Sequence, residues 1–99
     1  MALPQPTEFH IANGENYREN YANSVQIRTS VWDFFLAFGL MQPGTGNSVT
    51  VNNFEGIFLS PQQAKALSLM LRDNVANYEQ TFGEIKLDAQ HQLAPEMAN

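Results

Sequence analysis

The side chains able to do acid–base or nucleophilic chemistry are few and far apart. Histidine occurs twice, at His10 and His91, and both lie in polar end segments. A Ser/His/acid arrangement would have to use one of them, and a catalytic group must be held in place to help. Cysteine is absent, which excludes disulfides, thiolate metal ligands and a thiol nucleophile together. The acids are spread nearly evenly, so paired carboxylates are hard to build. Asp33 is the one acid in a strongly apolar setting, SVWDFFL. It reads as a solvent-facing strand charge or a turn residue, and a charge at a sheet edge also deters aggregation. Tyr78, followed by Glu79, reads as a core tyrosine whose hydroxyl reaches the rim for a partner. GTGNS, residues 44–48, has two glycines but lacks the phosphate-loop spacing and precedes a strand, so it reads as a hairpin loop. No zinc spacing occurs. The expectation is a protein that is not an enzyme and carries no cofactor and no metal.

Charge narrows the partners. The formal net charge is −5, and the basic residues Arg18, Arg28, Lys65, Arg72 and Lys86 stand singly. Nucleic-acid binding draws on clustered Lys and Arg that neutralise phosphates. Trp32 and its aromatic neighbours could form a stacking platform, but such platforms are flanked by a basic groove, and only Arg28 is near. Core is the better reading for them, and no nucleic acid is expected. The same scarcity argues against an anionic membrane surface. VWDFFLAFGLM is too short to span a bilayer, and the first residues lack the pattern of a secretory signal. A soluble cytoplasmic protein with no membrane partner is the expectation.

The elements that would position any site can be read from periodicity and punctuation. SVQIRTS, residues 24–30, alternates with Val25, Ile27 and Thr29 on one side, the period of a half-buried strand. VWDFFLAFGLM, residues 31–41, repeats every second residue and is rich in aromatics, which favours a strand with Trp32, Phe34, Leu36, Phe38 and Leu40 on one face. The join between them, near residues 29–33, contains neither Gly nor Pro. QPGTGNS, residues 42–48, is a loop. VTVNNFEGIFLS follows as a third strand, in which Gly56 marks a bulge or bend. Ser60 then fits a helix N-cap, Pro61 the first helical position and Gln63 the capping-box spacing. Ala64, Leu67, Leu71, Val75, Tyr78 and Phe82 fall within about 40° of one line on a helix. Gly83 supplies a left-handed stop. The helix is expected over residues 61–82.

The fold class is therefore α+β, a three-stranded antiparallel β-meander followed by one long C-terminal helix packed on the sheet. The domain is expected to span 21–85, with flexible tails at 1–20 and 86–99. The helix stripe is expected to cover one sheet face, since so small a sheet is unstable alone. Ala66, Leu69 and Met70 lie outside the stripe. Phe35, and Phe54 or Phe58, would project from the opposite sheet face. One face and one stripe do not bury all of this, and a core of this size supplies only about 3–5 kcal/mol. A second copy of the chain, or another protein, is expected to cover Phe35, Phe54, Phe58, Ala66, Leu69 and Met70. Bland exposure of single apolar side chains is the competing explanation.

Four segments also carry a resemblance. Tyr21-Ala22-Asn23 enters the first strand, and a phenylalanine-rich second strand ends at Phe38-Gly39. Ser60-Pro61-Gln62 opens a helix containing Ala64-Lys65-Ala66-Leu67, and Asn77-Tyr78-Glu79 precedes Phe82-Gly83. Over residues 21–85 the chain resembles a bacterial and archaeal family of unknown function numbered 3467. The resemblance implies the β-β-β-α order and no activity, so no site residue is carried over. In architecture alone the expected fold is similar to the bacterial export chaperone SecB, which implies apolar grooves for unfolded clients; fold analogy is weak support for function. The leading expectation is a non-catalytic homo-oligomeric interaction protein. The alternative is a SecB-like binder of extended apolar segments. An acidic nucleic-acid mimic ranks last, because singly placed acids outline no phosphate track.

Overall fold

The structure, a computed structural model, describes residues 5–88. His91 and the end of the expected C-terminal tail lie outside the described residues. Residues 5–23 form no helix or strand. The meander follows as β1 (Ser24–Thr29), β2 (Phe34–Pro43) and β3 (Val49–Leu59), and α1 (Pro61–Phe82) completes it. The strands lie in sequence order, each antiparallel to the next.

The join between β1 and β2 is made by a serine side chain instead of a glycine. Ser30 Oγ accepts the backbone N–H groups of Trp32 and Asp33, both at 3.1 Å. It also lies 3.1 Å from Asp33 Oδ1, to which it donates, and Ser30 N–H donates to the Asp33 carbonyl. Asp33 is thus a turn residue. This turn delays β2, which begins at Phe34 and not at Val31. Trp32 therefore leaves the strand face assigned to it and stands 83 % exposed at the turn. It is not a core residue of the single chain. At the other end of β1, Asn23 prolongs the ladder: its N–H donates to the Gly39 carbonyl, and its Oδ1 accepts Met41 N–H at 2.7 Å.

The β2–β3 loop closes through Gly44 N–H to the Ser48 carbonyl, with Gly46 at φ 67°. Beyond it, the pairing shifts by one between Phe38 and Gly39. Phe38 faces Glu55 while Gly39 faces Asn53, so Phe54 is the extra residue. The bulge falls there and not at Gly56. Gly56 answers a different need: a Cβ on it would stand 2.6 Å from Cζ of Phe35. The Phe35 ring lies where a side chain would have been.

Register and bulge together sort the side chains into two faces. The first face carries Val25 and Ile27 of β1, Leu36 and Phe38 of β2, and Ile57 of β3. The second carries Gln26 and Arg28, Phe35 and Ala37, and Phe58. Alternation past the bulge puts Phe54 on the first face, away from Phe35 and Phe58, because the extra residue reverses the parity of β3.

The helix begins and ends where its signals stand. Ser60 Oγ accepts Gln63 N–H at 3.1 Å, and Pro61 opens the first turn. Gly83 N–H donates to the Glu79 carbonyl at 2.9 Å. Its φ of 104° is positive as expected, but its ψ of 170° is extended and outside the left-handed helical basin. That region is open essentially to glycine alone.

The helix meets the sheet through β3, and Ala64 and Leu67 are half-buried. Farther along, the stripe is uncovered: Leu71 is 55 % exposed and Phe82 73 %. Tyr78, 51 % exposed and stacked on Phe82 at 4.9 Å, is likewise no core tyrosine of the single chain. No helix residue is buried. Among the described residues the buried hydrophobics are Leu36 and Ala37.

Gly39→Ala would bring a Cβ within 2.5 Å of Asn53 Oδ1 and 2.7 Å of the Asn52 carbonyl, whereas at Gly14 nothing lies within 4 Å. The expected loss at Gly39 is about 1–3 kcal/mol, read as a lower urea midpoint by far-UV circular dichroism. Equal midpoints for Gly39→Ala and Gly14→Ala would contradict the close approach of β2 and β3 at the bulge.

Candidate interaction surface

The second sheet face is largely finished within the chain. The rings of Phe35 and Phe58 pack at 4.7 Å and 41°. The Arg28 guanidinium stands 4.9 Å from the Phe35 centroid, within the range of a cation–π contact. Beside them Asn53 Nδ2 donates to Gln26 Oε1 at 3.3 Å. Side chains of neighbouring strands thus cover Ala37 and leave Phe58, 62 % exposed, as the open edge of the cluster.

The first face carries apolar side chains on all three strands, with Glu55 opposite Phe38 and Asn52 opposite Leu40 on β3. Val25, Ile27, Phe54 and Ile57 are each exposed beyond a third of their surface. Residues 18–22 border it. Arg18, Asn20 and Ala22 join Phe38, Phe54 and Ile57 around an open hollow of about 240 Å³, with Glu55 at its wall. The polar groups on the rim are Arg18, Asn20 and Glu55, too few to define a small-molecule site.

A third apolar surface runs along α1. At 100° per residue, Leu67, Leu71, Val75, Tyr78 and Phe82 share one side, and Ala66, Leu69 and Met70 lie on the other with Asp73 and Gln80. Of the six residues expected at an interface, Phe35 and Phe58 are brought together on the second face. Phe54 is on the first face, and the remaining three are on the polar side of the helix. The stripe packs on the sheet of its own chain, as expected, through β3 near Ala64 and Leu67, and its later residues Leu71, Val75, Tyr78 and Phe82 stay exposed.

The scale of the uncovered surface is large. Ile27 and Ile57 on the sheet are each 42 % exposed, and Leu71 and Tyr78 on the helix 55 % and 51 %. Single folded domains rarely expose apolar patches beyond a few hundred Å² without a use for them. Ion pairs do not compensate, since Arg72–Asp73 and His10–Glu8 are both solvent-exposed and worth little.

Among the described residues no group of three or more His, Asp or Glu could hold a metal ion. None of the described helices is long and apolar enough to cross a membrane. Glu79 is engaged at the helix end, where its Oε2 accepts Ile85 N–H at 2.8 Å.

The family described as "Protein of unknown function (DUF3467)" matches residues 4–87. The chain belongs to this family. The match is longer than the span over which the sequence resemblance is read, and it takes in residues 18–22 at the hollow. No curated protein and no solved structure matches the chain. Membership of the DUF3467 family therefore agrees with the fold and transfers no activity or binding residue.

One titration reports on the segment leading to the hollow. The Tyr17 hydroxyl donates to Glu19 Oε2 at 2.5 Å, and this bond to a carboxylate holds the phenol above its ordinary ionisation range. Glu19→Gln removes the charge on the acceptor, so Tyr17 is expected to ionise at lower pH. Phenolate absorbance against pH measures this, and an unchanged curve would show that the contact is not made in solution.

Proposed function

We propose that this protein is a non-catalytic, homo-oligomeric interaction module whose assembly is built from its uncovered apolar faces. One observation carries the reading: the stripe of α1 and the first sheet face are both apolar, both open, and both on a chain with almost no core of its own. Ordering a backbone costs about 1–2 kcal/mol per residue. Burying a large apolar side chain returns about 1.5–3 kcal/mol. Leu36 and Ala37 cannot offset the ordering of a sheet and a 22-residue helix. A second copy, present whenever the first is, is the simplest source of the missing burial. Phe54 and Phe58 extend the available surface, and Ala66, Leu69 and Met70 offer a further contact for a higher oligomer or a different protein. A cytoplasmic location suits this reading.

The hollow beside Phe38, Phe54 and Ile57 favours one second reading, a SecB-like binder of extended apolar segments. It uses the same surface with a different occupant. Suppression of aggregation of a denatured client, together with native-state binding of an apolar dye, would support it; absence of both removes it.

Size-exclusion chromatography with light scattering tests the leading reading. The expected result is a dimer or larger species at micromolar concentration, with a urea midpoint that rises with protein concentration. Leu71→Glu is expected to dissociate or unfold it, and Leu69→Glu to leave a dimer intact while removing any higher species. A stable, fully folded monomer would overturn the reading.

A further inference from the structure

We propose that Asn13 is a self-modifying site, at which the Gly14 main-chain nitrogen displaces the Asn13 side-chain amide and water then opens the ring to aspartate or isoaspartate. The modification is independent of how many copies of the chain assemble.

The step needs no metal and no oxidant. The Gly14 nitrogen, once it has lost its proton to hydroxide, attacks Asn13 Cγ. A bond forms between Gly14 N and Asn13 Cγ, the Asn13 Cγ–Nδ2 bond breaks, and Nδ2 leaves as ammonia. The product is a cyclic succinimide. Water then adds to one of its two carbonyls. Opening at Cγ gives aspartate, and opening at the main-chain carbonyl gives isoaspartate, whose main chain runs through Cβ and Cγ. Nothing is oxidised or reduced: one amide and one water become one carboxylic acid and ammonia.

The attacking N–H must be uncommitted, its residue small, and the asparagine outside a hydrogen-bonded element. The sequence holds one Asn-Gly step, Asn13-Gly14. Glycine has no Cβ to shield its nitrogen and the widest backbone freedom to approach Cγ. Both residues are exposed and outside any helix or strand, and the space around Gly14 is open, since a Cβ there would meet nothing within 4 Å. Tyr17 N–H donates to the Gly14 carbonyl at 3.1 Å, which holds the turn without using the Gly14 N–H. Among the described residues neither that N–H nor the Asn13 carboxamide makes a hydrogen bond. The fold ties up the competitors. Asn23 Oδ1 accepts Met41 N–H at 2.7 Å, and Asn74, within α1, donates to the Met70 carbonyl at 2.8 Å. Asn52 and Asn53 lie in β3 and donate to Gln42 and Gln26, and Asn77 lies in α1. Asn47 precedes a small residue, but Ser48 N–H is committed to the Thr45 carbonyl at 3.3 Å. Asn16 and Asn20 precede bulky tyrosines. Conversion at Asn13 adds one negative charge to a chain already at −5. The isoaspartate form also adds one carbon to the main chain between residues 5–12 and the wall of the hollow at Arg18, Asn20 and Ala22.

The full chain is held in mildly alkaline buffer, and samples taken at intervals are digested with trypsin and read, against the starting sample, by mass spectrometry with electron-transfer fragmentation. Peptide 1–18 carries Asn13 and Asn16, and 19–28 carries Asn20 and Asn23. Peptide 29–65 carries Asn47, Asn52 and Asn53, and 73–86 carries Asn74 and Asn77. The expected result is conversion at Asn13 ahead of every other asparagine in these peptides, as isoaspartate and aspartate together, at a rate proportional to hydroxide concentration. Gly14→Ala, whose added methyl meets nothing in the fold, is expected to slow it roughly tenfold. In urea, Asn23 and Asn47 are expected to gain on Asn13, because the bonds that hold their surroundings are lost. Conversion led by Asn23 or Asn47 in the native chain would overturn the proposal, as would an Asn13 that stays an amide or an equal rate in Gly14→Ala. Aspartate without isoaspartate would also overturn it, since that product means direct attack by water and not by Gly14.

Discussion

Leu59 closes a strand and Pro61 opens a helix, so Ser60 alone has to turn the chain. Its hydroxyl is committed to the Gln63 N–H, and the proline ring that follows holds its own φ near about −65°. A strand and a helix joined this tightly share one rigid corner. The helix then starts beside β3, on which it packs through its first turns. From that corner follow the partial cover of Ala64 and Leu67, the exposure of Leu71 through Phe82, and a sheet whose first face lacks a lid.

The bulge at Phe54 is the second device, and it acts on the sheet as the corner acts on the helix. Without it, the parity of β3 would place Val49 and Val51 on the same face as Ile57. With it, β3 changes parity part-way, so that Ile57 joins Ile27 and Leu36 while Phe58 joins Phe35. The two faces thereby acquire different tasks. One closes on itself through an aromatic pair, a cation and a glycine that yields its side-chain space. The other gathers Val25, Ile27, Leu36, Phe38 and Ile57, with Glu55 opposite Phe38.

Local chemistry made much of this legible. The helix of residues 61–82 is found at those residues because Ser60, Pro61 and Gly83 each satisfy a backbone requirement that few other residues meet. The meander was legible because period-two runs were separated by polar segments. The turn at Ser30 was not, since its geometry comes from a side-chain oxygen replacing a backbone acceptor, a substitution with no glycine or proline to announce it. The parity of Phe54 was not legible either: Gly56 attracts attention as the breaker, yet the register shift is set by cross-strand pairing two residues earlier. The extent of the stripe's cover was also not legible: Ala64 and Leu67 are half-buried where the helix meets β3, while Leu71 and Phe82 stay exposed, and periodicity does not say how far along a helix such cover runs.

These constraints leave few side chains of the described residues buried. A core of Leu36 and Ala37 leaves the lone chain without the burial that normally balances conformational entropy. Neither cysteine nor a metal cluster of described residues substitutes for it. The family match from residue 4 onward also brings residues 18–22, which border the first face at the hollow, into the same unit as the sheet and helix. The first face is then bordered by strands that supply its apolar floor and by a leading segment that forms one wall of the hollow beside Phe38, Phe54 and Ile57.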